Sequence, residues 1–414
     1  MRNRNILLSI NIIDMIGLFI ILPILPEMMQ YYLAKSHALD GWLIDLNRTL
    51  SEALPPDRKN DSILIAGGLA ASVFSFMQFF TSPMLGRWSD RIGRKAVLVV
   101  GSSGFVIAAL LWYFADNFTM FFLSRALSGA ACGTVSVGSA AMVDISTPED
   151  RTRNVSLLGA SFGVGALAGP VLASFLTQFH VSLPLASHPF ALCALASILI
   201  GLVSVPVNLF LFTNPVSQIK AQAGSAYRIA FRIPWFMWVT FANFLFSVVY
   251  TGMEFFIPFY FKMDFGMGPG GIGLTFLYLG VLVVAGQGFL VPWLSKRFTE
   301  RQIAIAGFLS APVPLVLFSF AAPNLFLAFA ALLPAALAIA CIFAGLNALA
   351  SHMAPEESRG AAIGVFQAFF PLGNGFGPIV AGFLYWTVGI QWTCVILGCG
   401  FLGLSVLLQR VGKT

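Results

Sequence analysis

The amino-acid sequence predicts an all-α integral membrane protein, with twelve transmembrane helices in two pseudo-symmetric six-helix bundles and both termini in the cytoplasm. Three observations predict this fold class. Hydrophobic residues make up 58% of the 414 positions, more apolar surface than a water-soluble chain could cover with polar groups. Apolar segments of membrane-spanning length recur along the chain. The two halves also share a spaced pattern of glycine, proline and charged residues.

Each of twelve apolar segments is long enough to cross a hydrocarbon layer of about 30 Å at about 1.5 Å per residue. We predict these helices at 6–28, 62–85, 96–115, 118–142, 153–178, 187–211, 233–260, 270–294, 302–322, 324–350, 360–387 and 389–409. The first segment is too long for a secretory signal, and it carries Asp14 and lacks a small-residue cleavage site. We therefore predict that it is a retained helix.

The positions of lysine and arginine predict the orientation in the membrane. With the N-terminus inside, seventeen of the 23 basic residues fall on the cytoplasmic side and five in outer loops, which is the expected bias. The net charge of +6 is therefore explained by the membrane, and we expect no nucleic-acid partner. Short termini and lean loops favour a bacterial inner membrane.

The stretch 86–95, between the second and third segments, is the most charged part of the chain. Its glycines and charged residues are Gly86, Arg87, Asp90, Arg91, Gly93, Arg94 and Lys95. Gly86 and Gly93 permit a tight reversal, so we expect a loop here. Asp90 is expected to accept hydrogen bonds from the amides that open the next helix. We also expect an ion pair between Arg94 and Asp144 at the base of the third and fourth segments.

Residues of the fifth segment recur in the eleventh, which predicts an internal repeat. Arg151, Gly165, Gly169, Pro170 and Ala173 recur 208 positions later as Arg359, Gly373, Gly377, Pro378 and Ala381. Two six-helix bundles, 1–211 and 233–414, are predicted from this repeat. The polar and basic stretch 212–232 is the predicted cytoplasmic linker between them.

Three charged residues lie well away from the ends of the predicted membrane segments: Asp14, Arg125 and Glu254. Each costs about 2.5–3.5 kcal/mol at a helix centre unless it is paired or hydrated. If the first and fourth segments face one cavity, Arg125 can reach toward Asp14, and a movement that separates them would favour protonation of Asp14. The alternative is a static structural ion pair.

Three motifs resemble those of the major facilitator superfamily, and the resemblance covers essentially the whole chain. Stretch 86–95 resembles the family's G-x-x-x-D-R-x-G-R-K loop between helices 2 and 3. Arg125-x-x-x-Gly129-x-x-x-Gly133 resembles its helix 4 motif associated with proton coupling. The helix 5 motif of the family's antiporters is matched by Gly159, Gly163, Gly165, Gly169 and Pro170. The chain is most similar to the twelve-helix drug:proton antiporters, including tetracycline-efflux-like transporters and the eukaryotic tetracycline-transporter-like branch linked to organic anions.

This resemblance implies a secondary active transporter rather than an enzyme. The expected activity is proton-coupled export of amphiphilic organic molecules, drug-like compounds or organic anions, by alternating access. Asp14, Arg125 and Glu254 would couple to protons. The expected cytoplasmic gate consists of Gly86, Asp90, Arg91, Gly93, Arg94, Lys95, Asp144 and Arg151. Asp90 would meet the free amides that open helix 11 near Gly360.

The resemblance also implies a cavity that binds a small organic substrate. Its polar candidates are Asn11, Gln78, Asn243, Tyr250, Asn347, Gln367 and Asn374. We expect protons and the lipid bilayer as partners, no cofactor or metal, and a monomer. The chain has no G-x-x-x-x-G-K-[ST] loop, so direct ATP drive is not expected. The alternative function is a lipid-handling protein or a non-pumping sensor built on the same fold.

The first outer loop, 34–61, is long and carries leucines at helical spacing from Leu39 to Leu54. Asp40, Asp45, Arg48 and Glu52 lie on the opposite side of the predicted helix, and Pro55 would end it. We expect this helix on the outer surface, against the bundle or at the lipid interface. A lid over the outer mouth is the alternative.

Overall fold

The fold was analysed on a computed structural model, which describes residues 2–35, 40–52, 63–147, 150–179, 186, 188–214, 234–353 and 359–410. In these ranges all regular secondary structure is helical. The first nine helices are α1 (Arg2–Phe19), α2 (Leu25–Ala34), α3 (Gly41–Glu52), α4 (Ile63–Ile92), α5 (Arg94–Tyr113), α6 (Phe118–Cys132), α7 (Val135–Asp144), α8 (Arg151–Leu176) and α9 (Ala191–Pro206).

The remaining helices belong to the second half of the chain. They are α10 (Pro234–Phe265), α11 (Pro269–Ala285), α12 (Val291–Ser295), α13 (Glu300–Ser310), α14 (Pro312–Ser319), α15 (Leu325–Met353) and α16 (Arg359–Arg410). Two π-helical turns, Val207–Leu211 and Gly286–Leu290, continue α9 and α11. A 3₁₀ turn, Leu22–Ile24, joins α1 to α2 at Pro23.

Eleven helical spans in the described part of the chain are long and apolar enough to cross a membrane. The last of them, within the 52-residue α16, contains two predicted segments, because Gly389 breaks the helix with φ 75° and ψ 179°. This break coincides with the predicted boundary between 360–387 and 389–409. A residue with a side chain would adopt that positive φ only under strain. The prediction of twelve segments is therefore accounted for.

Contacts divide the chain into two compact units. The first contains Met1–Ala221 together with Met267–Leu277, and the second contains Gln222–Gly266 and Tyr278–Thr414. Most of the predicted linker, 215–232, lies outside the described residues. The first residue of the predicted linker 212–232, Phe212, is fully buried in the first unit, in an apolar cluster with residues of α1, α5, α7 and α8.

The stretch 86–95 is helical almost throughout, so the predicted loop is wrong in extent. Helix α4 continues through Gly86 to Ile92, and only Gly93, with φ 98°, separates it from α5. Asp90 does not cap α5. Instead, the Asn214 side-chain oxygen accepts from the Lys95 amide at 3.3 Å, and a Cβ on Gly93 would overlap the Asn214 side chain.

The structure confirms a helix in the stretch predicted as the first outer loop, as α3, whereas Leu39, Leu54 and Pro55 lie outside the described residues. Asp40 is not on its exposed side, because it is only 1% exposed and its carboxylate accepts from the amides of Phe118 at 2.8 Å and Thr119 at 2.9 Å. These amides open α6 and have no partner within the helix. Trp42 donates from Nε1 to the Thr119 hydroxyl at 3.1 Å. The loop is thereby attached to the first unit at the start of α6.

The predicted repeat is visible in helix packing. A Cβ on Gly165 of α8 would lie 2.8 Å from the Ile12 carbonyl of α1, and a Cβ on Gly373 of α16 would lie 2.6 Å from the Phe244 carbonyl of α10. Both pairs of helices therefore touch at glycine, where backbones can approach closely.

Two further contacts follow the same offsets. A Cβ on Gly169 would lie 2.8 Å from the Ile16 carbonyl, and one on Gly377 would lie 2.7 Å from the Val248 carbonyl. Ile16 and Val248, like Ile12 and Phe244, are 232 positions apart, whereas the glycines are 208 apart. Each position on α1 therefore has a defined counterpart on α10.

Candidate functional site

Asp14 lies on α1 inside the first unit. Its Oδ1 atom is fully buried and has no hydrogen-bond partner among the described residues, and the Ser204 hydroxyl of α9 is within hydrogen-bonding range of the carboxyl group. A small pocket beside Asp14 is lined by Asn11, Ser102 and Thr134 together with apolar residues. No basic side chain forms an ion pair with Asp14 in the described part of the chain.

The polar surroundings of Asp14 extend through three buried side chains. The Ser204 and Ser102 hydroxyl oxygens are 3.1 Å apart, and Asn208 donates from Nδ2 to the Ser102 hydroxyl at 2.9 Å. All three side chains are no more than 5% exposed. They connect α1 to α5 and to the end of α9.

The counterpart of Asp14 in the second unit is Phe246 of α10, 232 positions later. Phe246 is fully buried and packs edge-on against Phe308 at 6.0 Å and Phe343 at 5.1 Å between ring centroids. Phe401 lies at 6.4 Å on its other side. The same place in the repeat can therefore be filled by apolar packing alone. Nothing in the fold requires a carboxyl group at position 14.

Arg125 is buried in α6, but it does not contact Asp14. Its guanidinium lies over the Phe74 ring of α4, with 4.9 Å between Cζ and the ring centroid, and the residue is 9% exposed. Cys132, one of the apolar cluster with Met15 and Phe74, lies within electrostatic range of both Asp14 and Arg125. Cys132 is thus near both charged groups, which do not form an ion pair with each other.

The helix 4 motif allows α6 to pack closely on α4. A Cβ on Gly129 would overlap the Phe74 carbonyl, and one on Gly133 would overlap the Thr81 side chain. The helix is interrupted after Gly133, between α6 and α7. Gln78, one of the predicted cavity residues, donates from Nε2 to the Cys132 carbonyl at 3.4 Å. Its side chain therefore binds the backbone where the helix is interrupted.

The helix 5 motif divides into two parts. Gly165 and Gly169 pack on α1, and Pro170 is buried within α8. Gly159 and Gly163 have nothing within 4 Å of an added Cβ. Only the second pair of glycines therefore has the close-packing role that the spacing predicts.

Glu254 lies on α10 in the second unit, half-buried, where the Tyr250 hydroxyl donates to its Oε1 at 3.4 Å. Tyr250 also packs against Phe343, with 5.5 Å between the ring centroids. One turn away, the Thr251 hydroxyl donates to the Asn374 side-chain oxygen at 2.6 Å. The second unit therefore holds its carboxyl group among aromatic and neutral polar side chains.

The other polar cavity candidates have varied surroundings. Asn11 donates to the Leu158 carbonyl and Asn243 to the Phe366 carbonyl, both at 3.2 Å, and these bonds are counterparts in the repeat. Asn347 is exposed and donates to a carbonyl of its own helix. Gln367 is exposed. Asn11 and Asn243 therefore hold helices together.

The predicted ion pair between Arg94 and Asp144 is confirmed. Arg94 donates from Nε to Asp144 Oδ2 at 2.9 Å, and both side chains are at most 7% exposed. Arg94 Nη1 also forms an ion pair with Asp90 Oδ1 at 2.5 Å and donates to the Ser89 hydroxyl at 2.5 Å. The cluster ties α4, α5 and α7 together. Arg91 is exposed and Lys95 half-buried, and the side chain of Arg151 lies outside the described part.

Sequence reasoning missed four polar residues: Ser102, Ser204, Asn208 and Asn214. Ser204 and Asn208 are one helical turn apart in an apolar segment, which is a weak signal for a shared polar face. Their proximity to Asp14 and Ser102 depends on tertiary packing. No spacing in the sequence could have revealed it.

Comparisons with known proteins agree with this architecture. The model of the Major Facilitator Superfamily matches residues 7–321 and 288–412. The chain is 24% identical over 423 residues to mouse major facilitator superfamily domain-containing protein 10, covering 97% of this chain and 91% of the relative. It is also 24% identical over 433 residues to the class E tetracycline resistance protein of Escherichia coli, covering 99% and 95%.

Two solved structures have the same fold. The human organic anion transporter MFSD10 (TETRAN) superposes with a TM-score of 0.76 at 20% identity, covering 99% of both chains. A D-xylose–proton symporter superposes with a TM-score of 0.76 at 14% identity, covering 99% of this chain and 97% of the other. At these identities the likeness extends to the fold alone.

Proposed function

The chain belongs to the Major Facilitator Superfamily and is a membrane transporter, and from this premise we propose that it is a proton-coupled antiporter exporting amphiphilic organic molecules. The observation that carries the proposal is the Asp14 carboxyl group, which has a fully buried oxygen and no cationic partner among the described residues. An unpaired carboxyl group inside a membrane segment is costly when ionised. Such a group is suited to bind and release a proton.

The surroundings of Asp14 support both of its protonation states. A serine hydroxyl can donate to a carboxylate and can accept from a carboxylic acid, so Ser204 can partner Asp14 with or without its proton. Phe246 at the corresponding place in the second unit supports a functional reason for the carboxyl group, since packing alone does not require it.

Glu254 is proposed as the second titratable group, in contact with substrate. It lies beside Tyr250 and near aromatic rings of α10 and α15, and such surfaces suit amphiphilic organic molecules. The names of the relatives, which concern tetracycline resistance and organic anion transport, support the same substrate class. We propose the Arg94 cluster as part of the conformational gate.

The membrane topology and domain division are proposed on the basis of the sequence. Basic residues favour cytoplasmic termini, and the repeat favours six-helix bundles at 1–211 and 233–414 joined by 212–232. The bacterial inner membrane and the monomeric state are parts of the same proposal.

Transport by the purified protein in proteoliposomes tests this function. Tetracycline and a panel of amphiphilic organic anions are supplied outside vesicles with an acidic lumen that contains a pH-sensitive dye. We expect accumulation of a substrate against its gradient, with alkalinisation of the lumen in step and loss of both when a protonophore is added. Substrate exchange without proton movement would indicate a facilitator. No transport of any compound would favour the lipid-handling or sensor alternative.

A further inference from the structure

We propose that Ser204, Ser102 and Asn208 are positioning residues that orient Asp14, favour its ionised form and set the pH at which it takes up a proton. The inference rests on the proposed role of Asp14 in proton coupling. It concerns residues of α5 and α9, which none of the family motifs in the sequence contains.

The three side chains form a hydrogen-bonded chain whose last member, Ser204, lies beside Asp14. Asn208 and Ser204 are fully buried and Ser102 is 5% exposed. The distances are 2.9 Å from Asn208 Nδ2 to Ser102 Oγ and 3.1 Å from Ser102 Oγ to Ser204 Oγ. The Ser204 hydroxyl lies within hydrogen-bonding range of the Asp14 carboxyl group, whose Oδ1 atom has no partner among the described residues. Hydrogen bonds among buried side chains are stronger than in water, so each bond has a large effect on its neighbours.

The direction of donation along this chain is fixed at its far end. Asn208 Nδ2 also donates to the Ser204 backbone carbonyl at 3.2 Å, and a carbonyl can only accept, so the amide orientation is defined. Ser102 therefore accepts from Asn208 and is free to donate to Ser204. Ser204 in turn can donate to Asp14. Donation in this order leaves the Ser204 hydroxyl able to donate to the carboxyl group, and such a bond favours the carboxylate over the acid.

The backbone around Asn208 is adapted to this arrangement. A π-helical turn at Val207–Leu211 begins directly before Asn208, and the Phe212 amide donates to the Val207 carbonyl at 3.2 Å. Single π-turns within α-helices occur frequently at functional sites. This one closes α9 and holds Asn208 one turn beyond Ser204.

Few other titratable groups face Asp14. Cys132 and Arg125 of α6 are within electrostatic range of one another, and Cys132 is also within range of Asp14. The pocket lining that the described residues of α5, α7 and α8 contribute beside Asp14 contains no charged side chain. Ser204, Ser102 and Asn208 are therefore the groups near Asp14 whose influence on its protonation can best be tested by substitution.

Reaction of Asp14 with a hydrophobic carbodiimide, which modifies protonated buried carboxyl groups, tests the proposal on the full-length protein in vesicles. The modified fraction is measured by mass spectrometry across a pH series. Ser204→Ala is expected to move the midpoint of Asp14 modification to higher pH by about one unit, since it removes a bond to a charged group. Ser102→Ala, one link further away, is expected to produce a smaller shift in the same direction.

A matched control is available on the same helix. Ser197 is 1% exposed, and its hydroxyl donates to the carbonyls of Gly17 at 3.3 Å and Cys193 at 3.1 Å. Ser197→Ala should leave the Asp14 midpoint unchanged. Modification of Glu254 in each variant provides an internal reference, and its midpoint should not move.

An unchanged Asp14 midpoint in a folded Ser204→Ala or, if that variant does not fold, in a folded Ser102→Ala would overturn the proposal. A shift of Asp14 and Glu254 together would also overturn it, because it would indicate a general structural change. The readout does not involve transport. If Asp14→Asn retained coupled transport, the proposed function would fail, and the carbodiimide midpoints would still decide whether the chain controls Asp14.

Discussion

Arg125 and Asp14 are buried charges of the first unit that are accommodated in different ways. Asp14 lies beside a chain of hydroxyl and amide groups, whereas the guanidinium of Arg125 lies against the Phe74 ring. A desolvated cation–π contact contributes up to about 2 kcal/mol. Arginine is suited to this environment because its planar group can stack on a ring.

We predict that Arg125→Lys lowers the free energy of unfolding and slows transport, although the positive charge is kept. In a double-mutant cycle with Phe74→Leu, the coupling free energy of unfolding should be about 1 kcal/mol, because lysine stacks less well on the ring. Unfolding in mixed detergent micelles measures it. A coupling energy near zero would show that Phe74 does not hold Arg125.

His188 gives the first unit a pH-dependent stability. It is 6% exposed and stacks on Trp112, whose carbonyl is 2.8 Å from Nε2. Burial lowers the pKa of His188, an effect that the Trp112 carbonyl partly opposes and nearby Lys35 reinforces. Nε2 donates to that carbonyl, and the buried Nδ1 has no partner among the described residues. Protonation would therefore bury a second N–H group, at Nδ1, that has no acceptor among the described residues.

We predict that the melting temperature in detergent falls as the pH is lowered from 7.5 to 5.5. Since the folded pKa lies below the unfolded value of about 6.5, this contribution is complete above pH 6.5 and is lost as the pH falls toward the folded pKa. The melting temperature of His188→Gln should depend less on pH over this range. An equal pH dependence of the melting temperature in both proteins would show that other groups cause it.

At the scale of elements, the contact between α8 and α1 depends on two glycines. A Cβ on Gly165 would overlap Met15 and lie 2.8 Å from the Ile12 carbonyl, whereas one on Gly163 would meet nothing within 4 Å. The two positions lie two residues apart on one helix. They form a matched pair for testing what the motif does.

Gly165→Ala is predicted to lower the free energy of unfolding by about 1–3 kcal/mol, because backbone atoms cannot yield as a side chain would. Gly163→Ala should stay within about 0.5 kcal/mol of the parent. Thermal unfolding in detergent compares the two variants. Equal destabilisation, or none at Gly165, would contradict the packing described for α8.

The sequence predicted the membrane segments well because apolar length and glycine spacing are local properties. The break at Gly389 and the contacts of Gly165 and Gly373 fell where their residues indicated. The loop at 86–95 was overestimated because a charged stretch can continue a helix, here as far as Ile92. Arg94 then opens the next helix and forms an ion pair back to Asp90. Asp40 was misplaced because its capping partners lie 78 and 79 positions away.

At the scale of the whole molecule, two related units carry different chemistry. The packing of α1 on α8 and of α10 on α16 is the same, yet the position of Asp14 is taken by Phe246 in the second unit. At this position of the repeat, the carboxyl group is thus present in the first unit and replaced by an aromatic ring in the second. The sequence identified Asp14 but not its partners, because Ser102 and Ser204 join it only in the folded unit.

We propose that Asp14 carries the coupling proton, and substrate-driven proton flux in proteoliposomes is the measurement that decides this role. The parent protein, Asp14→Asn and Glu254→Gln are compared at equal amounts, with folding checked by thermal unfolding. We predict that Asp14→Asn exchanges substrate across the membrane but moves no protons and accumulates nothing under a pH gradient. Glu254→Gln should keep proton movement at a reduced substrate affinity. Full gradient-driven accumulation by Asp14→Asn would contradict the account.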